Sequence, residues 1–182
     1  GVYYDRNRLE DDDRALDFAA GLVFQNIGGK VNYGFSEYFI PGNLKLGTRL
    51  SKVVGEHSKF TFLFDVNKLL VPTPGAGNDS TMSSLKAVFS SFNDAPTFSE
   101  EIKEITTSTG LEYSYEDMLF LRAGYFSGSS RKGYNKQVTT GFGIRFKERY
   151  ALDVSYLIPI NSGNPLANTY RLTLNFNIPN EN

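Results

Sequence analysis

The chain has 182 residues, with 19 Lys and Arg against 20 Asp and Glu. That is one domain or part of one, and charges this balanced advertise neither a nucleic-acid surface nor an acidic tail. With no Cys and one His, it has no disulfide framework, no thiol catalysis and no zinc knuckle. No apolar run approaches the roughly 20 residues of a membrane helix. Aromatic residues at 14% and 17 Gly point to a β-rich chain with many corners.

Gly1-Val2-Tyr3-Tyr4 opens like the end of a strand whose beginning is missing. No signal peptide is visible, and the expectation is a chain incomplete at its N-terminus. Next, Leu16, Phe18, Ala20, Leu22 and Phe24 alternate with Asp17, Ala19, Gly21, Val23 and Gln25. Leu44, Leu46, Thr48 and Leu50 alternate with Lys45, Gly47 and Arg49, and Phe60, Phe62, Phe64 and Val66 with Thr61, Leu63, Asp65 and Asn67. Leu111, Tyr113 and Tyr115 then alternate with Gly110, Glu112 and Ser114. Leu119, Leu121, Ala123 and Tyr125 follow against Phe120, Arg122 and Gly124, and Phe142, Ile144 and Phe146 against Gly141, Gly143 and Arg145. Leu152, Val154, Tyr156 and Ile158 enclose Asp153 and Ser155, and Tyr170, Leu172, Leu174, Phe176 and Ile178 enclose Arg171, Thr173, Asn175 and Asn177. A period of two puts each set on opposite faces of a strand. Eight such segments and the opening stub give at least nine strands in an antiparallel meander.

Shorter turns, at 5–13, 55–58, 116–117 and 148–149, alternate with longer loops at 27–41, 69–103, 128–136 and 159–167. One end of the sheet is therefore trimmed and the other shaggy. Segments of about ten alternating residues with that asymmetry are the signature of an outer-membrane β-barrel with short periplasmic turns and long extracellular loops. Tyr113, Tyr115, Tyr150, Tyr156 and Tyr170 fall near strand ends, where an interfacial girdle would sit. A soluble lipocalin-like barrel alternates too. Its polar face would meet solvent, whereas here that face carries Gly and charges of both signs.

Asp17, Arg49, Asp65, Glu112, Arg122, Arg145, Asp153 and Arg171, with Lys45, lie on the polar face. A charge-selective pore would show one dominant sign. Mixed signs favour salt bridges inside a filled or plugged lumen, with a passive wet channel as the alternative. His57 beside Glu56 has no second His or Cys to work with and reads as a turn residue. Glu10, Asp11, Asp12 and Asp13 lack calcium-loop spacing. Asn78-Asp79-Ser80 is a bare glycosylation pattern. The sequence predicts no catalytic residue, no metal, no cofactor and no enzyme activity.

The segment 69–103 is the most distinctive. Leu69, Leu70 and Val71 run into Pro72 and Pro74, which stop the strand and stiffen the exit. Met82, Leu85, Val88, Phe89 and Phe92 recur at helical spacing. Thr97-x-x-Glu100 is a capping box for a second helix, with Phe98, Ile102 and Ile105 as its stripe. Packing on the barrel mouth and docking of a partner are both open for these stripes.

Several runs resemble the PorV family, also called LptO. They are Asn26-Ile27-Gly28, Tyr38-Phe39-Ile40-Pro41-Gly42-Asn43-Leu44-Lys45-Leu46-Gly47, the stretch from Asn67 to Pro74, and Ser91-Phe92-Asn93-Asp94-Ala95-Pro96. Further along come Gly110-Leu111-Glu112-Tyr113, Leu121-Arg122-Ala123-Gly124-Tyr125-Phe126, Ser155-Tyr156-Leu157-Ile158-Pro159 and Pro165-Leu166-Ala167-Asn168-Thr169. Each run is weak alone; their order and spacing are specific. The resemblance implies an all-β, antiparallel transmembrane β-barrel, fourteen-stranded and FadL-like, in the outer membrane of Bacteroidetes-type bacteria. The 182 residues would be its C-terminal portion, a single domain with helices in the long extracellular loop.

The family belongs to the type IX secretion system. A member is implied to bind the C-terminal signal domains of secreted cargo, to accept cargo from the translocon barrel (SprA or Sov) and to deliver it to the PorU sortase. The expected partners are those proteins and outer-membrane lipid, with no nucleic acid. Docking is expected on Leu69, Leu70, Val71, Pro72, Pro74, Met82, Leu85, Val88, Phe89 and Phe92, with Pro165 and Leu166 beside them. The rival readings are a FadL-like transporter of hydrophobic small molecules, with Phe120, Phe126 and Leu157 pointing inward, and a soluble lipocalin-like binder.

Overall fold

A computed structural model describes residues 1–6, 16–32, 34, 37–71, 83–92, 97–129, 133, 136–147, 149–160 and 169–177. Its elements in chain order are β1 (Val2–Arg6), β2 (Leu16–Gln25), β3 (Lys30–Asn32), β4 (Glu37–Phe39), β5 (Asn43–Val54) and β6 (Ser58–Leu69). Helices α1 (Ser84–Ser90) and α2 (Phe98–Ile102) follow, then β7 (Ile105–Tyr115), β8 (Leu119–Ser127), β9 (Gln137–Phe146), β10 (Tyr150–Pro159) and β11 (Thr169–Phe176). Nine strands form one sheet in the order β1-β2-β5-β6-β7-β8-β9-β10-β11, each pair antiparallel. The meander read from the alternation is the observed topology. The sheet is open, with β1 and β11 as its edges.

Three differences from the sequence reading have local causes. The loop at 27–41 contains a small hairpin, β3 on β4; three-residue strands are too short for a period of two to register. Ile105 does not join a helical stripe: α2 ends at Ile102 and Ile105 opens β7, paired with Lys68. The β-branched run Ile105-Thr106-Thr107 favours extended backbone. The fourth turn is wider than read, since β9 ends at Phe146.

Register carries each alternation across the whole sheet. One rung runs Phe18, Leu50, Phe62, Leu111, Ala123, Thr140, Tyr156 and Tyr170. Its neighbour runs Asp17, Ser51, Thr61, Glu112, Arg122, Gly141, Ser155 and Arg171. Burial is the reverse of a water-soluble core. Asp17, Ser51, Thr61, Thr106 and Ser114 are buried, whereas Leu121 is 55% exposed, Phe60 52% and Leu172 65%. Among the described residues Ala19, Leu70 and Phe120 are the buried apolar ones. Among the same residues no helix is long and apolar enough to cross a membrane, which says nothing of crossing by strands.

Three connections at one end span only 55–57, 116–118 and 147–149. The other end carries the connection 26–42 with its hairpin, and 70–104 with both helices. The apolar face gathers aromatic pairs toward both ends. At the turn end Phe60 meets Tyr113 at 5.0 Å and Tyr150 meets Phe176 at 5.9 Å; at the loop end Tyr156 stacks on Tyr170 at 4.6 Å.

Candidate functional site

Three ionic clusters and two grooves organise the molecule. The first cluster centres on Arg49 of β5. Its Nη2 donates to Asp17 Oδ2 at 3.0 Å and to Asp5 Oδ1 at 3.3 Å. Asp5 lies two strands away, so Arg49 reaches over β2 where the paired residue is Ala19. Tyr3 OH also donates to Asp5, at 2.8 Å.

The second cluster centres on Arg122 of β8. Its Nε donates to Glu112 on β7 at 2.6 Å and its Nη1 to Asp153 on β10 at 2.5 Å. The second bond must cross β9, and it does so over glycine. A Cβ on Gly143 would collide with Asp153 Oδ1 and lie 2.9 Å from Arg122 Nη1. The guanidinium also sits 5.0 Å from the Phe120 ring, and Arg145 lies 5.1 Å from the same ring. Gly47 does a related job, since its Cβ would lie 2.6 Å from Asp65 Oδ1.

The expected charge set thus divides. Asp17 and Arg49 belong to one cluster, and Glu112, Arg122 and Asp153 to the other. Arg145 packs on Phe120, while Asp65 and Arg171 make no ion pair among the described residues.

The third cluster ties down the long loop. Lys68 Nζ, near the end of β6, donates to Glu101 at 2.6 Å and to Glu104 at 3.2 Å. These side chains are only 11%, 15% and 4% exposed. Phe92 lies 5.8 Å from the same ammonium. Thr97 caps α2 by accepting from Glu100 N at 3.3 Å, as the capping box predicts. Leu70 is buried beside Gly42, and its N–H donates to the Gly42 carbonyl at 2.8 Å.

Leu69, Val71 and Val88 are partly exposed, Phe92 is 43% exposed and Phe89 75%. Ile102 adds another apolar surface at 50% exposure. Pro72, Pro74, Met82, Pro165 and Leu166 lie outside the described residues, as does the Leu85 side chain. Lys68, Glu101 and Glu104 were missed as a unit. The available signal was the i, i+3 spacing of Glu101 and Glu104 after a strand with a lysine next to its end.

Both grooves open on the polar face. One, of about 560 Å³, lies mid-sheet between Val23, Leu63, Phe126, Lys45, Asp65 and Asn67. The Asn67 Oδ1 there has no hydrogen-bond partner among the described residues. The other, of about 1000 Å³, lies at the turn end over Phe120. Phe120 and Phe126 occupy the polar face by register, opposite Gly143 and Gln137, and Leu157 does so opposite Thr139. His57 stands in its turn 3.7 Å from Glu116 and 3.8 Å from Glu56. Among the described residues no group of three His, Asp or Glu could hold a metal ion.

Residues 1–76 match the family model for type IX secretion system protein PorV. The match covers β1 to β6 with the Arg49 cluster and Lys68, and ends before the helices and the Arg122 cluster. No curated protein matches the chain.

Proposed function

We propose, from the match of residues 1–76 to the family model for type IX secretion system protein PorV, that the chain is a non-enzymatic outer-membrane barrel component of that system that binds the C-terminal signal domain of secreted cargo. It carries that cargo from the translocon barrel (SprA or Sov) to the PorU sortase and attachment complex. The observation that carries the membrane part is the reversed burial: polar side chains covered, apolar ones bare. Such a face exposed to water would cost about 25 cal/mol per Å² of apolar surface; facing lipid it costs nothing. The eight strands after β1 in the large sheet have 8 to 12 residues, and about 9–11 tilted residues span a bilayer. Further strands are needed to pair the β1 and β11 edges and close the barrel. With the short turns periplasmic, the helix-bearing loop is extracellular.

Docking is assigned to that loop, 69–103, with Pro165 and Leu166 beside it. Lys68 and its two carboxylates support a preformed platform, since a buried ion cluster resists opening. Phe89, Phe92 and Ile102 would then offer apolar surface without an ordering cost on binding. Deleting 73–98 is expected to abolish co-purification with cargo and translocon while the protein still inserts and resists unfolding on an unheated gel. Normal co-purification of the inserted deletion variant would sink the docking assignment.

A second reading, a FadL-like carrier of hydrophobic small molecules, is favoured by one feature: the mid-sheet groove lined by Val23, Leu63 and Phe126. Lipid retained in that groove by protein purified free of partners would support it.

A further inference from the structure

The turn-end groove answers to neither reading. It lies at the opposite end of the sheet from the helices, and five cations line it: Lys59, Arg122, Arg145, Lys147 and Arg149. Three carboxylates share it, and two are already engaged, Asp117 with Lys59 at 2.8 Å and Asp153 with Arg122 at 2.5 Å. Glu116, the third, faces His57. Arg145, Lys147 and Arg149 have no carboxylate within ion-pair distance among the described residues.

Two of these three cations are held rather than neutralised. Arg145 lies 5.1 Å from the Phe120 ring and Lys147 5.2 Å from the Phe146 ring. Packing on a ring orients a cation but leaves its hydrogen-bond donors free for an anion. Between the charges the lining offers apolar and amide groups: Phe120, Asn175 and Asn177.

We infer that this groove binds an acidic peptide segment of a partner protein on the turn side of the sheet. A single phosphate would fill only a small part of about 1000 Å³, a size at the upper end of ligand pockets. The free cations are spread over the end of β9 and the turn that follows it, rather than gathered on one residue. A chain of carboxylates matches that spread, and Asn175 and Asn177 can meet a peptide backbone. The groove opens on the polar face, away from the apolar face that would meet lipid.

The test uses the whole folded chain in detergent, with fluorescent hexaglutamate and hexaglutamine peptides as probes. Hexaglutamate is expected to bind and hexaglutamine not, with affinity falling as salt rises through the screening range. Arg145→Ser with Arg149→Ser is expected to weaken hexaglutamate binding by about 10-fold, one charged hydrogen bond's worth. Lys147→Ala, in the exposed turn, is a second variant with an expected loss of about 3-fold. Arg171→Ala, on the same face outside this groove, should change nothing. Equal binding of the two peptides overturns the inference. So does unaltered binding by the folded variants, or inorganic phosphate competing as well as the peptide. None of these outcomes touches the loop-docking assignment, which the deletion of 73–98 tests separately.

Discussion

Arg49 and Arg122 use one device in two places. Each cation sits on the polar face and ties together carboxylates on different strands by reaching over a strand that is small at the crossing. Arg122 has the better geometry. Two different nitrogens serve its two acids at 2.6 and 2.5 Å. Arg49 serves both acids through Nη2, while its Nε and Asp17 Oδ1 have no partner among the described residues. Yet the Asp17 side chain is only 6% exposed, against 24% for Glu112 and 32% for Asp153. Bond quality and dependence on the bond are separate quantities, because the cost of losing a partner scales with how little water can replace it.

That separation orders the variants. Arg49→Ala is expected to cost the most, about 3 kcal/mol, the low end for a buried charge left alone. Arg122→Ala is expected to cost about 1 kcal/mol, because exposure of all three groups screens the clash between Glu112 and Asp153. Urea unfolding in lipid vesicles, followed by far-UV circular dichroism, measures both. Adding Asp17→Asn should recover much of the Arg49→Ala loss, since the amide removes the stranded charge. A larger loss for Arg122→Ala than for Arg49→Ala would show that contact geometry, not burial, sets the ranking.

A smaller effect sharpens the role of the crossing. Gly143→Ala is expected to cost about 1 kcal/mol, an overpacking penalty at its low end because flexible side-chain tips can move aside. The loss should shrink in an Asp153→Ala background, where the new methyl meets no carboxylate and the Arg122 guanidinium is freer to move aside. An undiminished loss there would mean that Gly143 serves the backbone rather than the ion pair.

The sequence discloses the strands, their faces and the identity of the charged residues, because a period of two is a local signal. It does not disclose which acid meets which base. Arg122 was readable as facing inward; its bond to Asp153 depends on the β8-β9-β10 register and on the bare backbone at Gly143. Asp5 was read as part of a turn, although it lies in an edge strand and completes the Arg49 cluster. Ile105 misled because its spacing from Ile102 suits a helix as well as a strand two residues after a cap. Lys68 was read as part of a strand end, because its partners lie more than 30 residues on.

The smallest expected effect tests a turn against these clusters. Glu116 and Asp117 both have positive φ, 52° and 51°, and the Met118 N–H donates to the Tyr115 carbonyl at 3.0 Å. This is the primed hairpin turn that matches strand twist, a geometry that favours Asn-Gly. Left-handed backbone costs a non-glycine residue about 1–2 kcal/mol, less for Asp. Replacing Glu116-Asp117 by Asn-Gly relieves that strain. It also removes the Lys59–Asp117 pair, worth under about 1 kcal/mol at this exposure, and frees the unfolded chain. The expected net gain is about 0.5 kcal/mol in the same urea experiment. Lys59→Ala alone should cost less than about 0.5 kcal/mol. A net loss from Asn-Gly with that small Lys59→Ala effect would mean that the Glu116 side chain is held by its neighbour, His57 Nδ1 at 3.7 Å. The turn end would then be kept by side chains at the expense of backbone geometry, as the polar face is.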